Sequence, residues 1–104
     1  MLAAATAHAA EPWIGRWAVD PTACSLFGKT AATSPLIVTS YAVRWFTDVC
    51  RIGTMYKTGG AVHIEGLCAG EGGTRSIPFM LQPKGDRLLV KWNRNFSGEM
   101  QRCP

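Results

Sequence analysis

Cys50 and Cys68 flank a single turn signal, Thr58-Gly59-Gly60, and this arrangement constrains the fold more than any other feature of the chain. A three-residue hairpin loop with glycine available for the left-handed position joins residues 49–57 to residues 61–68. Counting away from that loop sets Tyr56 opposite Val62, Thr54 opposite Ile64, Ile52 opposite Gly66 and Cys50 opposite Cys68. Directly opposed strand residues have the short Cα separation that a disulfide spans. One face of the hairpin is then mostly apolar and ends in a cysteine pair. The other carries Arg51, Lys57, His63 and Glu65.

The alternation continues through the C-terminal half. A turn over Ala69-Gly70-Glu71-Gly72-Gly73-Thr74 leads into a strand with Ile77, Phe79 and Leu81 on one face, and Pro78 on the other face marks an edge or a bulge. Pro83-Lys84-Gly85-Asp86 reads as a four-residue turn that sets Leu81 against Leu88, Phe79 against Val90 and Ile77 against Trp92. The loop Asn93-Arg94-Asn95 sets Trp92 against Phe96, Val90 against Gly98 and Leu88 against Met100. A one-residue slip in any turn would reverse a whole face, so a single apolar face across all these strands argues for one sheet.

Nearer the N-terminus, Trp13, Gly15, Trp17 and Val19 alternate as a strand. Asp20-Pro21-Thr22 reads as a helix start, with Asp20 as N-cap and room for at most one turn. Residues 25–34 form a loop before strands near 36–39 and 41–46. The chain lacks apolar recurrence at helical spacing. The expected fold is all-β: a small antiparallel up-and-down barrel or rolled sheet of about seven strands, with two disulfides.

The pairing of Cys50 with Cys68 leaves Cys24 for Cys103. No cysteines are spaced C-x-x-C, the unit from which zinc modules build half their ligand set, so no metal site is assigned. Widely spaced cysteines in even number belong where thiols are oxidised. Ala7-His8-Ala9 fits the small-residue pattern of a signal-peptide cleavage site, so residues 1–10 read as a signal-peptide remnant and 11–104 as a single β-domain. No apolar run approaches the ~18–20 residues of a spanning helix. The expected location is the periplasm or the exterior.

Catalytic signatures are mostly absent. With His8 in the leader, His63 is the one histidine left for the domain. It shares a strand face with Glu65, and the pair reads as solvated surface rather than as a metal site or an acid–base couple. Asp48, Glu71 and Glu99 have no partner positions for a carboxylate dyad. Gly70-Glu71-Gly72-Gly73 lacks the Gly-Lys-Ser/Thr and the helix of a phosphate loop. The chain is therefore read as no enzyme, with no catalytic residue and no cofactor. The net charge of +4 is carried by dispersed basic residues from Arg16 to Arg102, without the stripe of a nucleic-acid binder.

Binding candidates lie elsewhere. Glu71 sits at the tip of a loop on a rigid sheet, where recognition residues often lie. Trp17 and Trp92 fall on inward faces. Trp13 and Trp45 suit either the core or the rim of a ligand cavity or protein-binding patch.

Gly15-x-Trp17 on the first strand, followed by an antiparallel meander with Arg102 near the end, resembles the calycin pattern of lipocalins and related barrels. In those families the Trp closes the barrel base and a late Arg packs across it. The resemblance implies structural roles for Gly15, Trp17 and Arg102. In size and export the chain is most similar to bacterial lipocalin-like inhibitors of secreted metalloproteases, whose active N-terminal segment corresponds to positions 11–13. Cys50-Arg51-Ile52 and Cys68-Ala69-Gly70-Glu71-Gly72 also resemble segments of exported bacterial proteins, a likeness that implies no activity. The expected function is an exported binding module acting on a protein partner, with inhibition of a hydrolase as one form. The alternative is carriage of a small apolar ligand in a barrel cavity.

Overall fold

The computed structural model describes residues 11–25, 33–45, 48–70, 73–94 and 96–104. Positions 1–10, read above as a leader remnant, fall outside them. Among the described residues eight strands follow one another: β1 (Gly15–Ala18), β2 (Leu36–Val38), β3 (Ala42–Trp45), β4 (Asp48–Thr58), β5 (Ala61–Gly70), β6 (Gly73–Lys84), β7 (Arg87–Trp92) and β8 (Phe96–Arg102). Each pairs antiparallel with the next, and β1 pairs with β8 to close a barrel. The strands number eight, where the sequence pattern indicated about seven. Disulfides join Cys50 to Cys68 and Cys24 to Cys103, as expected.

Period-two alternation builds the core. Val62, Ile64 and Cys68 of β5, Ile77, Phe79 and Leu81 of β6, Leu88, Val90 and Trp92 of β7, and Met100 of β8 all point inward and are buried. The N-cap expectation also holds, in a 3₁₀ turn over Pro21–Ser25. Asp20 Oδ1 accepts the Thr22 backbone N–H and its hydroxyl, each at 3.0 Å, and these bonds hold the Asp20 carboxyl below its ordinary pKa.

Two hairpin registers differ from the expected ones. In β4–β5, Cys50↔Cys68 and Ile52↔Gly66 pair as expected, but the turn is the two-residue Gly59-Gly60 closed by Thr58↔Ala61. Gly59, at φ 59°, supplies the left-handed conformation that primed two-residue turns require. The spare residue is absorbed in a β-bulge between Ile52 and Thr54. Gly53 fits that place because a Cβ there would lie 2.9 Å from the Glu65 carbonyl oxygen. Beyond the bulge the faces therefore exchange. Met55 and Lys57 oppose the inward Ile64 and Val62, while Tyr56 opposes the outward His63.

In β6–β7 the turn is Gly85-Asp86 closed by Lys84↔Arg87, with Gly85 at φ 64°. Leu81 thus opposes Val90 and Phe79 opposes Trp92, a shift of two residues that keeps the face. The β7–β8 register is as expected, from Trp92↔Phe96 to Leu88↔Met100. Pro78 marks an edge, as expected, because β7 pairs only as far as Phe79 and, among the described residues, no strand covers that side of β6 from Pro78 back to Gly73. It pairs with Glu65 on one side, and on the other its carbonyl accepts the Asn93 N–H at 2.8 Å. Strand β7 ends at Trp92, opposite Phe79, so the N–H that Pro78 lacks has no ladder partner to disappoint.

Aromatic residues pack one end of the barrel. Trp45 meets Trp92 and Phe96 edge-on at 5.1 and 4.9 Å, and Phe79 stacks on Trp92 at 4.7 Å. Two glycines make room for these rings. A Cβ at Gly66 would lie 2.7 Å from Phe79, and one at Gly98 would lie 2.7 Å from Phe96.

Candidate functional site

Gly15, Trp17 and Arg102 meet at the opposite end. The Arg102 guanidinium lies 4.2 Å above the Trp17 ring and donates to the carbonyls of Ile14 and Pro12 at 3.1 and 3.0 Å. Trp17, fully buried, donates its Nε1–H to the Trp13 carbonyl at 3.1 Å. Gly15 adopts φ 147°, and a Cβ there would lie 2.5 Å from Arg102 Nη1. One guanidinium thus covers an indole and fixes the entering chain. Arg102→Lys keeps the charge but loses the planar fork. It is expected to cost about 1–2 kcal/mol in urea unfolding, from a lost carbonyl bond and a weaker stack.

Trp13 and Trp45 lie in the core cluster, and Trp45 donates to the buried Ser34 carbonyl at 3.1 Å. Glu71, which falls between β5 and β6 in the sequence, lies outside the described residues. Trp13 is covered by Lys57, whose ammonium lies 4.9 Å from the ring and 3.8 Å from the Glu11 carboxylate. His63 and Glu65 engage different partners. His63 Nε2 shares a 2.8 Å hydrogen bond with Thr58 Oγ1 and its ring stacks on Tyr56 at 4.8 Å, while Glu65 accepts the Ser76 hydroxyl at 2.5 Å. Among the described residues no three His, Cys, Asp or Glu side chains gather into a metal-binding group.

The feature that sequence reasoning missed is an overhang. β3 pairs with β4 only as far as Ala42↔Arg51, and the Ile52 N–H then reaches the Tyr41 carbonyl at 3.0 Å. β4 continues to Thr58, with β5 on one side and, among the described residues, no strand on the other. Counting back from the two-residue turn, Thr58, Tyr56 and Thr54 exchange bonds with β5. The backbone N–H and C=O of Met55 and Lys57 therefore face the open side. Met55 and Tyr56, 44% and 61% exposed, flank this edge. The signal in the sequence is Thr54-Met55-Tyr56-Lys57-Thr58, where apolar and polar residues stop alternating after Gly53. Comparison with protein-family models, curated proteins and solved structures finds no match to this chain.

Proposed function

We propose that the protein is an exported binding module that takes an extended segment of a partner protein onto the free edge of β4, and that the partner is a secreted hydrolase which it inhibits. The carrying observation is the backbone of Met55 and Lys57, which among the described residues has no strand partner beyond the stretch of β4 that β3 covers. Natural sheets cover, shorten or charge their edges, and an uncovered one is a template for strand addition. The disulfide frame supports export to an oxidising compartment and holds the edge in place from Cys50 onward. The Lys57 ammonium is engaged by the Trp13 ring and the Glu11 carboxylate, although the side chain itself is exposed.

Met55→Pro tests the reading. It removes an edge N–H while sparing the β4–β5 ladder, because proline is tolerated where that N–H faces away from the paired strand. Envelope extract passed over the immobilised protein is expected to yield a hydrolase, and purified secreted proteases and lysozyme serve as inhibition targets. Binding and inhibition should fall at least tenfold in Met55→Pro at unchanged melting temperature. Absence of any partner and any inhibition, or equal binding by the variant, would overturn the proposal.

A further inference from the structure

Beside the edge, on the outer surface of β4–β7, runs a groove of about 290 Å³. Its lining follows from the registers. Tyr56, His63, Met80 and Lys91 form one row across four strands, and Thr54, Glu65 and Pro78 form the next. Arg94, held at φ 64° in the β7–β8 turn, stands at the end of the second row.

The two ends of the groove differ in chemistry. At the β4–β5 end the Tyr56 and His63 rings lie nearly parallel, 10° apart, with centroids 4.8 Å apart. That separation is close to the spacing of neighbouring strands, about 4.8 Å, so the second face of His63 looks along the row toward Met80. The hydrogen bond to Thr58 fixes the ring in this attitude. An aromatic face, a thioether and a proline ring make an apolar seat.

At the β7 end stand two cations. Among the described residues the side chains of Lys91 and Arg94 make neither an ion pair nor a hydrogen bond. Three carboxylates elsewhere are engaged: Glu99 with Arg87, Glu11 with Lys57 and Asp48 with Arg75. Glu65, the one acid lining the groove, is taken by Ser76 and sits in the Pro78 row, toward β5. The cationic end therefore calls for an anion, and the apolar seat lies about two strand spacings, ~10 Å, away from it.

We propose that this groove is a binding site for a small aromatic anion. Its ring lies between His63 and Met80 above Pro78, and its carboxylate or sulfonate lies between Lys91 and Arg94. The site is separate from the β4 edge, so its fate does not depend on that reading.

The probe is 2-naphthoate, titrated into the oxidised full chain and followed by amide NMR shifts. Saturable one-to-one shifts centred on His63, Met80 and Lys91 are expected, with the neutral 2-naphthalenemethanol binding at least tenfold more weakly. Lys91→Gln combined with Arg94→Gln should weaken naphthoate at least tenfold, and Arg51→Gln, outside the groove, should leave it unchanged. Each variant's melting temperature shows that it is folded. Shifts scattered over the surface without saturation, equal binding of the neutral analogue, or naphthoate affinity unaltered in the double variant would overturn the site.

Discussion

Replacing Cys24 and Cys103 together by alanine is expected to lower the unfolding free energy by about 4.5 kcal/mol, the value the chain-entropy model gives for so long a loop. The bond closes a sequence separation of 79 residues, most of the domain. Neither cysteine belongs to the buried core, so alanine leaves no cavity there to complicate the reading. The native contacts nearby survive: the Cys103 N–H still donates to the Arg16 carbonyl, and β8 still pairs with β1. The loss therefore falls on the denatured chain, which gains freedom it lacked. In a domain of this size the change amounts to a fall of at least about 15 °C in melting temperature. Cys50–Cys68 closes only 18 residues and lies inside the larger loop, so the two effects overlap rather than add. Urea unfolding of the double variant, compared with the oxidised protein, measures the difference. A loss below about 1 kcal/mol would mean that the unfolded chain is compact enough to make the link irrelevant.

The architecture was legible because the side-chain period of a strand is two and because a buried face forbids odd slips. That same rule explains what could not be read. An odd loop without a bulge and an even loop with one bulge both bring Cys50 opposite Cys68 and Ile52 opposite Gly66. The sequence contained both solutions; the structure takes the second, with Gly53 at the bulge, where a Cβ would lie 2.9 Å from the Glu65 carbonyl oxygen. The β6–β7 turn failed differently. Four-residue and two-residue turns differ by a step of two, so Leu81 and Phe79 stay inward under either, and hydrophobic patterning is blind to the choice. Pro78 was legible as an edge residue because it stands where the β6–β7 ladder stops, with only the Asn93 N–H reaching its carbonyl.

The surface features depended on those hidden choices. Tyr56 reaches the outer face, stacks on His63 and enters the groove only because the bulge exchanges the faces of β4. The open edge exists because β1, β2 and β3 are short while β4 runs the length of Asp48–Thr58. Strand length is set at the loops around Ser40 and Tyr41, where no glycine pair or proline signals a boundary. By contrast Gly15, Trp17 and Arg102, distant in sequence, could be singled out together beforehand as structural residues, and the structure brings all three into contact.

That contact makes Trp17 the most sensitive core position at this end of the barrel. Trp17→Ala is expected to destabilise by about 3–5 kcal/mol, the usual range for removing a buried large aromatic side chain. Three losses coincide: the packing of a fully buried indole, the bond from its Nε1 to the Trp13 carbonyl, and the surface on which the Arg102 guanidinium rests. Trp17→Phe separates them, since it retains most of the apolar volume while removing the N–H, and should cost about 1–2 kcal/mol. Combining Trp17→Leu with Arg102→Ala in a double-mutant cycle measures the coupling between the indole and the guanidinium, expected at about 0.5–1 kcal/mol for an exposed cation over a buried ring. Urea unfolding followed by near-ultraviolet circular dichroism reads all of these. A Trp17→Ala loss under about 1 kcal/mol would show that the barrel end repacks without its indole, and that Arg102 holds the N-terminal chain through the Pro12 and Ile14 carbonyls alone.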